Sequence, residues 1–490
     1  MTAGPFAVSL DTLIAVAPML GYPLEDRARV RDAQQPDLVA RFQEASTRPL
    51  ADPTHRALFL VAPLDILVIR GLGGGQRFHV IETNGTGIGG LTNMPNGVVS
   101  DILAGLTESA RNLVEPNPLV LVASSGVESH KNPRRNHLLH EKILYVEALR
   151  RGFEARGESV RVLCMAKLAD DPAAIRTEQP TLVLGYIKEF LNKLTVGADG
   201  RLILLGRPVA LAVNDRFCLN IVSRFGGRID LGRFATLNRS FAAGADKGIA
   251  YGLLNEYAPA SKFAHGPTRV VFDRANSRTD MIAGVADWLK RGKKVVLKPQ
   301  GTGLGHGLEF FLDPDEPLDE IVAKVDHSIR VTEHYYGLVG GAFPYTLCEF
   351  ADTRTVERPG HDLHGHKYEL RVVVYRDCGL LKAFPSIAKI SSQGYDADKP
   401  SKLSLINNIT LSAEAKHREG TDFMLPLSNR ETLDLLNLDA GTLADLCAYC
   451  TGFIGHTLER VRSEPGRFGL PDTEPGVAAG VVNGQRVVLG

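Results

Sequence analysis

Apolar positions along the chain fall into two patterns: short continuous runs, and longer stretches with helical spacing. Two β-branched runs, LDILVIR (64–70) and FHVIETN (78–84), flank the glycine-rich GLGGGQ, which predicts a hairpin or two neighbouring strands. Residues 1–60 read as helices and connectors, and helical patterning returns around 97–113. From 118 onward PLVLVASS has the continuous apolarity of a buried strand, HLLHEKILYVEALRRGFEARG is an amphipathic helix, and ESVRVLCM is the next strand. That alternation predicts a parallel sheet with crossover helices. RLILL and PVALAVNDR, joined around a Gly-Arg turn, are expected to pair and close this lobe.

The pattern changes again near 244. ADKGIAYGLLNEY is helical, KKVVLKPQ is a strand, GTGLGHG is a glycine-rich loop, LEFFL returns as a strand, and YTLCEF is another buried strand. The long strand YELRVVVYRD turns at DCG into LLKAFPSIAKIS, helices fill 428–462, and PGVAAGVVNGQRVVLG ends the chain. The expected divisions are 1–117, 118–243, 244–350 and 351–490, in an α/β chain without internal repeats or low-complexity tracts.

Charge narrows the partners. Lys plus Arg (56) equals Asp plus Glu (56), so the field of the whole chain attracts neither nucleic acid nor membrane, and an anionic ligand needs a local cluster of cations. No apolar run approaches the roughly 20 residues that span a bilayer. Six cysteines in 490 residues do not make a disulfide framework, and the lone Cys447-x-x-Cys450, inside a helical pattern, reads as packing. The cytoplasm is the default compartment.

Four constellations carry chemistry. Lys298 ends a strand just before Gly301, Gly303, Gly305 and Gly307, an arrangement suited to a polyphosphate: the ammonium supplies charge, and glycines let backbone N–H groups approach oxygens. A hairpin with a flexible tip is the competing reading. Asp246-Lys247 opens a helix about 50 residues upstream, and Glu349 ends a buried strand about 50 residues downstream, where a carboxylate can accept hydrogen bonds from adenosine. Glu369 and Arg371 share one face of RVVVY, as a structural ion pair or with the arginine aimed at a transferring phosphoryl group. Glu82 and Asn84, at the end of FHVIE, offer hard oxygen ligands for Mg²⁺.

Taken in order, the DK lysine, the strand ending in Lys-Pro, the glycine-rich loop, the hinge glutamate and the Glu-Leu-Arg strand resemble the ATP-grasp superfamily. Its metal-binding Glu-x-Asn strand usually comes last, whereas IETNGTGIGGL precedes the nucleotide half here, as in a circular permutation. HVIETNGTGIGGL, GRPVALAVNDR, FAAGADKGIAYGLL, VVLKPQ and PGVAAGVV are similar to segments of the permuted branch, the eukaryotic-type glutathione synthetases. The resemblance covers roughly residues 60–490 and implies an ATP-grasp core with a lid subdomain and an inserted α/β substrate lobe. It also implies ATP and Mg²⁺ as cofactors and an acyl phosphate on the way to an amide, made from a small-molecule carboxylate and an amine.

Under that resemblance Lys247, Lys298, the glycine loop and Glu349 hold ATP, Glu82 and Asn84 hold the metal, and Arg371 stabilises transferring charge. Arg216, ending PVALAVNDR, anchors a substrate carboxylate, and Pro475–Gly480 closes over the substrate. Gly301-Thr302 stands where that branch carries an acidic ligand, which leaves the third metal ligand to Glu369, Asn407 or Asn408. A phosphotransferase that makes no amide and a nucleotide-binding protein without turnover are the alternatives. A homodimer is the expected assembly if there is one.

Overall fold

The computed structural model describes residues 29–50, 59–71, 75–88, 91–124, 137–230, 233, 235–265, 269–300, 305–336, 343–406, 423–468, 481–482 and 485–486. Helix α1 (Pro36–Ser46) starts on a proline, whose missing N–H costs nothing at a helix start, and buries Leu38 and Phe42. Strands β1 (Val61–Arg70) and β2 (Gln76–Thr83) pair antiparallel with a bulge after the Asp65–Glu82 pair. Helix α2 (Asn96–Arg111) follows.

The next segment forms a five-stranded parallel sheet. It contains β3 (Leu119–Ser124), helix α3 (His137–Glu154), β4 (Arg161–Cys164), β5 (Thr181–Tyr186), β6 (Leu211–Val213), helix α4 (Asp215–Phe225) and β7 (Ala235–Thr236). The strand order is β7-β6-β3-β5-β4. All six residues of β3 are buried, as an interior strand covered on both faces requires. The expected pairing of RLILL with PVALAVNDR holds only at Pro208, its first residue. Arg207–Pro208 pairs with Leu202–Leu204, while β6 leaves that hairpin and runs parallel to β3, because Leu211, Ala212 and Val213 are all buried.

The third segment opens with helix α5 (Lys247–Tyr257). Strands β8 (Phe272–Ala275), β9 (Val295–Pro299), β10 (Glu309–Phe311) and β11 (Tyr345–Glu349) then build an antiparallel sheet of order β8-β11-β9-β10, with helices α6 (Arg278–Lys290) and α7 (Leu318–Tyr336). Alternation along β9 sends Val295 and Leu297 into a core with Met281, Trp288 and Ile321 of the two helices. Val296 therefore faces the other way, into the main core, and Lys298 shares its side of the strand.

The chain returns through β12 (His366–Asp377), β13 (Leu380–Gly394), β14 (Met424–Pro426) and helix α8 (Ala440–Ser463). β12 lies antiparallel to both β1 and β13, so the first hairpin joins strands made some 300 residues later. One face of this central sheet, including Leu64, Ile66, Leu370 and Val372, packs with α1 and α8; Cys447 and Cys450 are buried in that core. On the other face Val61, Val373 and Tyr375 pack with α2 at one end. The rest of that face carries charged groups.

Candidate functional site

Those charged groups are placed by strand register. Arg371 is opposite Asp65 on β1, which is in turn opposite Glu82 on β2, while Glu369 is opposite Lys389 on β13. Asp65 accepts a bidentate pair from Arg371, Nε to Oδ1 and Nη2 to Oδ2, both 2.8 Å. Lys389 lies 3.1 Å from Asp65 Oδ2 and also contacts Glu369. All four side chains are buried. Burial opposes ionisation of Asp65, but Arg371 and Lys389 overcome it and hold the carboxyl far below the usual range. Glu369 goes the other way: burial and the charge of Asp65, against Lys389, push it up to about 7. Arg371 also donates Nη1 to the Ile88 carbonyl at 2.8 Å, so it is tied down within the protein, though its ion-pair partner is Asp65 and not Glu369, which pairs with Lys389 instead.

The antiparallel sheet of β8 to β11 approaches the edge strand β2 through Lys298. Its Nζ donates to the Tyr251 hydroxyl at 2.7 Å, and that hydroxyl donates to the Ile81 carbonyl at 2.9 Å, one residue before Glu82. Burial works against the Lys298 charge, but Cys348, Tyr251 and Glu82 outweigh it and keep the ammonium protonated. Lys247, the first residue of α5, pairs with Glu82 Oε1. Asp246 caps that helix through the Gly248 and Ile249 amides and pairs with Arg274, which explains the Asp-Lys dipeptide locally. Lys247 thus contacts Glu82, which stands 165 residues before it, and Lys298 reaches the carbonyl of the neighbouring Ile81 through Tyr251.

Asn84 lies one residue beyond β2 rather than on the strand; its amide donates to the Pro63 carbonyl at 2.7 Å and its side chain donates to Asp65 Oδ2 at 3.2 Å. After it the chain docks onto the parallel lobe. Thr86 Oγ1 donates to Asp215 Oδ2 at 2.8 Å, while Lys142 and Tyr145 donate to the Thr86 carbonyl at 2.6 and 2.8 Å. A Cβ on Gly85 would sit 2.0 Å from Asp215 Oδ2, so only glycine admits this approach. Arg216 does not end a strand: β6 stops at Val213, Asn214 caps α4 by accepting the Arg216 and Phe217 amides, and Arg216 lies in the first helical turn. Asn214 takes a φ of 112°, a turn that the sequence VNDR does not announce.

Glu349 ends β11 exposed, with Lys293 at 3.3 Å. Gly305 and Gly307 have φ of 72° and 73°, left-handed values suited to glycine, whereas Gly301 and Gly303 lie outside the described residues, as do Asn407, Asn408 and 475–480. Glu369 is engaged with Lys389. Among the described residues no three His, Cys, Asp or Glu side chains gather as a metal-binding group. No described helix is long and apolar enough to cross a membrane. Sequence reasoning missed Asp65, Lys389, Tyr251 and Asp215. The available signal was a lone charge inside an apolar strand at LDILVIR and PSIAKIS.

No protein-family model and no curated protein matches the chain. Among solved structures it is similar to a glutathione synthetase-like effector from Globodera pallida, at 14% identity, covering 78% of this chain and 84% of that one, with a TM-score of 0.31. It is also similar to D-alanyl-alanine synthetase A from Vibrio cholerae, at 10% identity, covering 54% of this chain and 78% of that one, with a TM-score of 0.29. Overlap at these scores is loose, and the chemistry has to be read from the side chains themselves.

Proposed function

We propose that this chain is an ATP-dependent carboxylate–amine ligase of the ATP-grasp kind, with amino acids or short peptides as substrates. The observation that carries the reading is the contact of Lys247 with Glu82, together with the reach of Lys298 through Tyr251 to the neighbouring Ile81. Two ammonium groups suit a polyphosphate, and a carboxylate beside them suits its cation. Lys247 and Glu82 pair with each other, and a polyphosphate with its Mg²⁺ would match each group with a new opposite charge.

Glu82 and Asn84 are the residues that would hold Mg²⁺. The fit is chemical: the Lys247 contact uses Oε1 of Glu82, and Asn84 spends its amide N–H on Asp65 while offering a carbonyl oxygen. Mg²⁺ commonly keeps one or two protein ligands and takes its other ligands from water and phosphate, so a pair suffices. When bound, the ion neutralises charge on the phosphates. Lys247 and Lys298 hold the phosphate oxygens, and Glu349 receives the adenosine. The substrate carboxylate attacks the γ-phosphorus, releasing ADP and forming an acyl phosphate. The amine then attacks the acyl carbon, phosphate leaves, and the amine loses a proton. Arg371 acts as a positioning residue through Asp65, and Arg216 anchors a carboxylate that is not activated.

ADP release from ATP, measured with amino acids and short peptides singly and in pairs and followed by mass detection of products, tests the proposal. Turnover that requires both an acid and an amine, with an amide among the products, is the expected result. A phosphorylated product with no amide would instead make the protein a phosphotransferase, and ATP binding without turnover would make it a nucleotide-binding protein.

A further inference from the structure

A hydrogen-bonded chain sets where the Lys298 ammonium sits, and it begins at an irregularity in the edge strand. On β2 the register passes from Glu82, opposite Asp65, to Val80, opposite Ile66, so Ile81 is the extra residue of the bulge and has no partner on β1. A bulge leaves its extra residue out of the ladder and re-aims the side chains beside it, as Glu82 is here. The Ile81 carbonyl instead accepts from the Tyr251 hydroxyl at 2.9 Å, and that hydroxyl accepts from Lys298 Nζ at 2.7 Å. A carbonyl can only accept and an ammonium can only donate, so the direction of both bonds is fixed. The Tyr251 ring is buried, 5.7 Å from the ring of Phe272 on β8, and the ammonium lies 5.4 Å from its centroid. Tyr251 stands one turn after Lys247 on α5, so one helix face fastens to β2 twice, Lys247 to Glu82 and Tyr251 to Ile81.

We propose that Tyr251 is a positioning residue for phosphate binding. Its hydroxyl holds the Lys298 ammonium against the strand that carries Glu82 and takes one of its three N–H donors, leaving two for an oxyanion. The inference rests on the ATP-binding reading, and it gives a role to a residue that the reading leaves without one. Lys298 is half-buried, so part of the side chain stays open to a ligand. A lysine stem without this acceptor samples several rotamers, and ordering it again on binding costs affinity. The bulge, the buried tyrosine and the lysine thus act in series, and the hydroxyl is the link that a single substitution removes.

Calorimetric titration of the full chain with ATP and Mg²⁺, and with inorganic tripolyphosphate, tests this in a double-variant cycle. Tyr251→Phe keeps the buried ring and removes only the hydroxyl. It should weaken binding of both phosphates about tenfold and leave adenosine binding unchanged. In a Lys298→Met background the same substitution should cost less than about threefold, because no ammonium is left to position. A tyrosine that only fills the core would lower affinity equally in both backgrounds; that result, or unchanged affinity in Tyr251→Phe, overturns the proposal. NMR of the unaltered, ¹³C-tyrosine-labelled chain needs no variant to fold. The Tyr251 Cζ resonance should move with ATP and with tripolyphosphate but not with adenosine, and a resonance that stays in place with both phosphates also overturns the proposal. If the chain binds tripolyphosphate with the expected coupling but does not bind ATP, the nucleotide reading fails while the role of Tyr251 stands. An unaltered chain that binds neither phosphate refutes both.

Discussion

Replacing Asp65 by asparagine keeps its size and removes one charge from a closed group of four. The exposures of Asp65, Arg371 and Lys389 are 3%, 7% and 4%, so water cannot screen what is left behind. In the native protein two carboxylates face two cations. In Asp65→Asn, Glu369 alone faces both, and Arg371 loses its bidentate partner. Breaking a buried ion pair by removing one member costs about 3–5 kcal/mol, because the remaining charge stays desolvated and unmatched. That is a large share of the roughly 5–15 kcal/mol that holds a typical protein folded. Urea unfolding at pH 7, followed by circular dichroism, measures it, and the double variant Asp65→Asn with Arg371→Met should recover part of the loss. The pH dependence has a definite sign. The folded-state pKa of Asp65 lies below its unfolded value, so its contribution is present above the ordinary carboxylate range and fades as pH falls through and below that range. A cost under about 1 kcal/mol for Asp65→Asn, or no recovery in the double variant, would refute the reasoning, since either outcome means the charges are solvated.

Lys298→Met should weaken ATP binding by roughly ten- to a hundredfold without unfolding the protein, as read by calorimetry, since a charge-assisted contact is worth about 1.5–3 kcal/mol. Gly85→Ala drives a methyl group into Asp215 and should destabilise by about 1–3 kcal/mol in urea. Gly97→Ala, where an added Cβ meets nothing within 4 Å, serves as the control and should not destabilise. Glu369 has a folded pKa raised to about 7, so its contribution is full below its unfolded value near 4.5 and is lost as pH rises through 7. Stability of the unaltered protein should therefore fall across that window, by at most about 3 kcal/mol from this group, and Glu369→Gln should flatten the fall.

Period and punctuation made the elements readable: two β-branched runs around glycines became β1 and β2, and the alternation after 118 became a parallel sheet. The lysine of KKVVLKPQ was legible because alternation in a strand covered by helices on one side forces every second residue toward the other. Asp65 and Lys389 were not, because each is a single charge in an apolar run and nothing local says that they meet. Their contact exists only through the registers of β1, β12 and β13, which join residues about 300 positions apart. Arg216 was assigned to the wrong element for a different reason: the turn at Asn214, with its positive φ, ends the strand at Val213, three residues before Arg216.

The pairing of β1 with β12 also sets a schedule for making the protein. Asp65 leaves the ribosome 306 residues before Arg371. At about 5–20 residues per second, the apolar hairpin waits roughly 15–60 s for the strand that completes its sheet. Throughout that interval β1 exposes an edge of unpaired backbone groups, the kind of surface that recruits other chains. Newly made molecules should therefore depend on a holding chaperone during synthesis, more strongly than the finished fold's balanced charge and buried core would suggest.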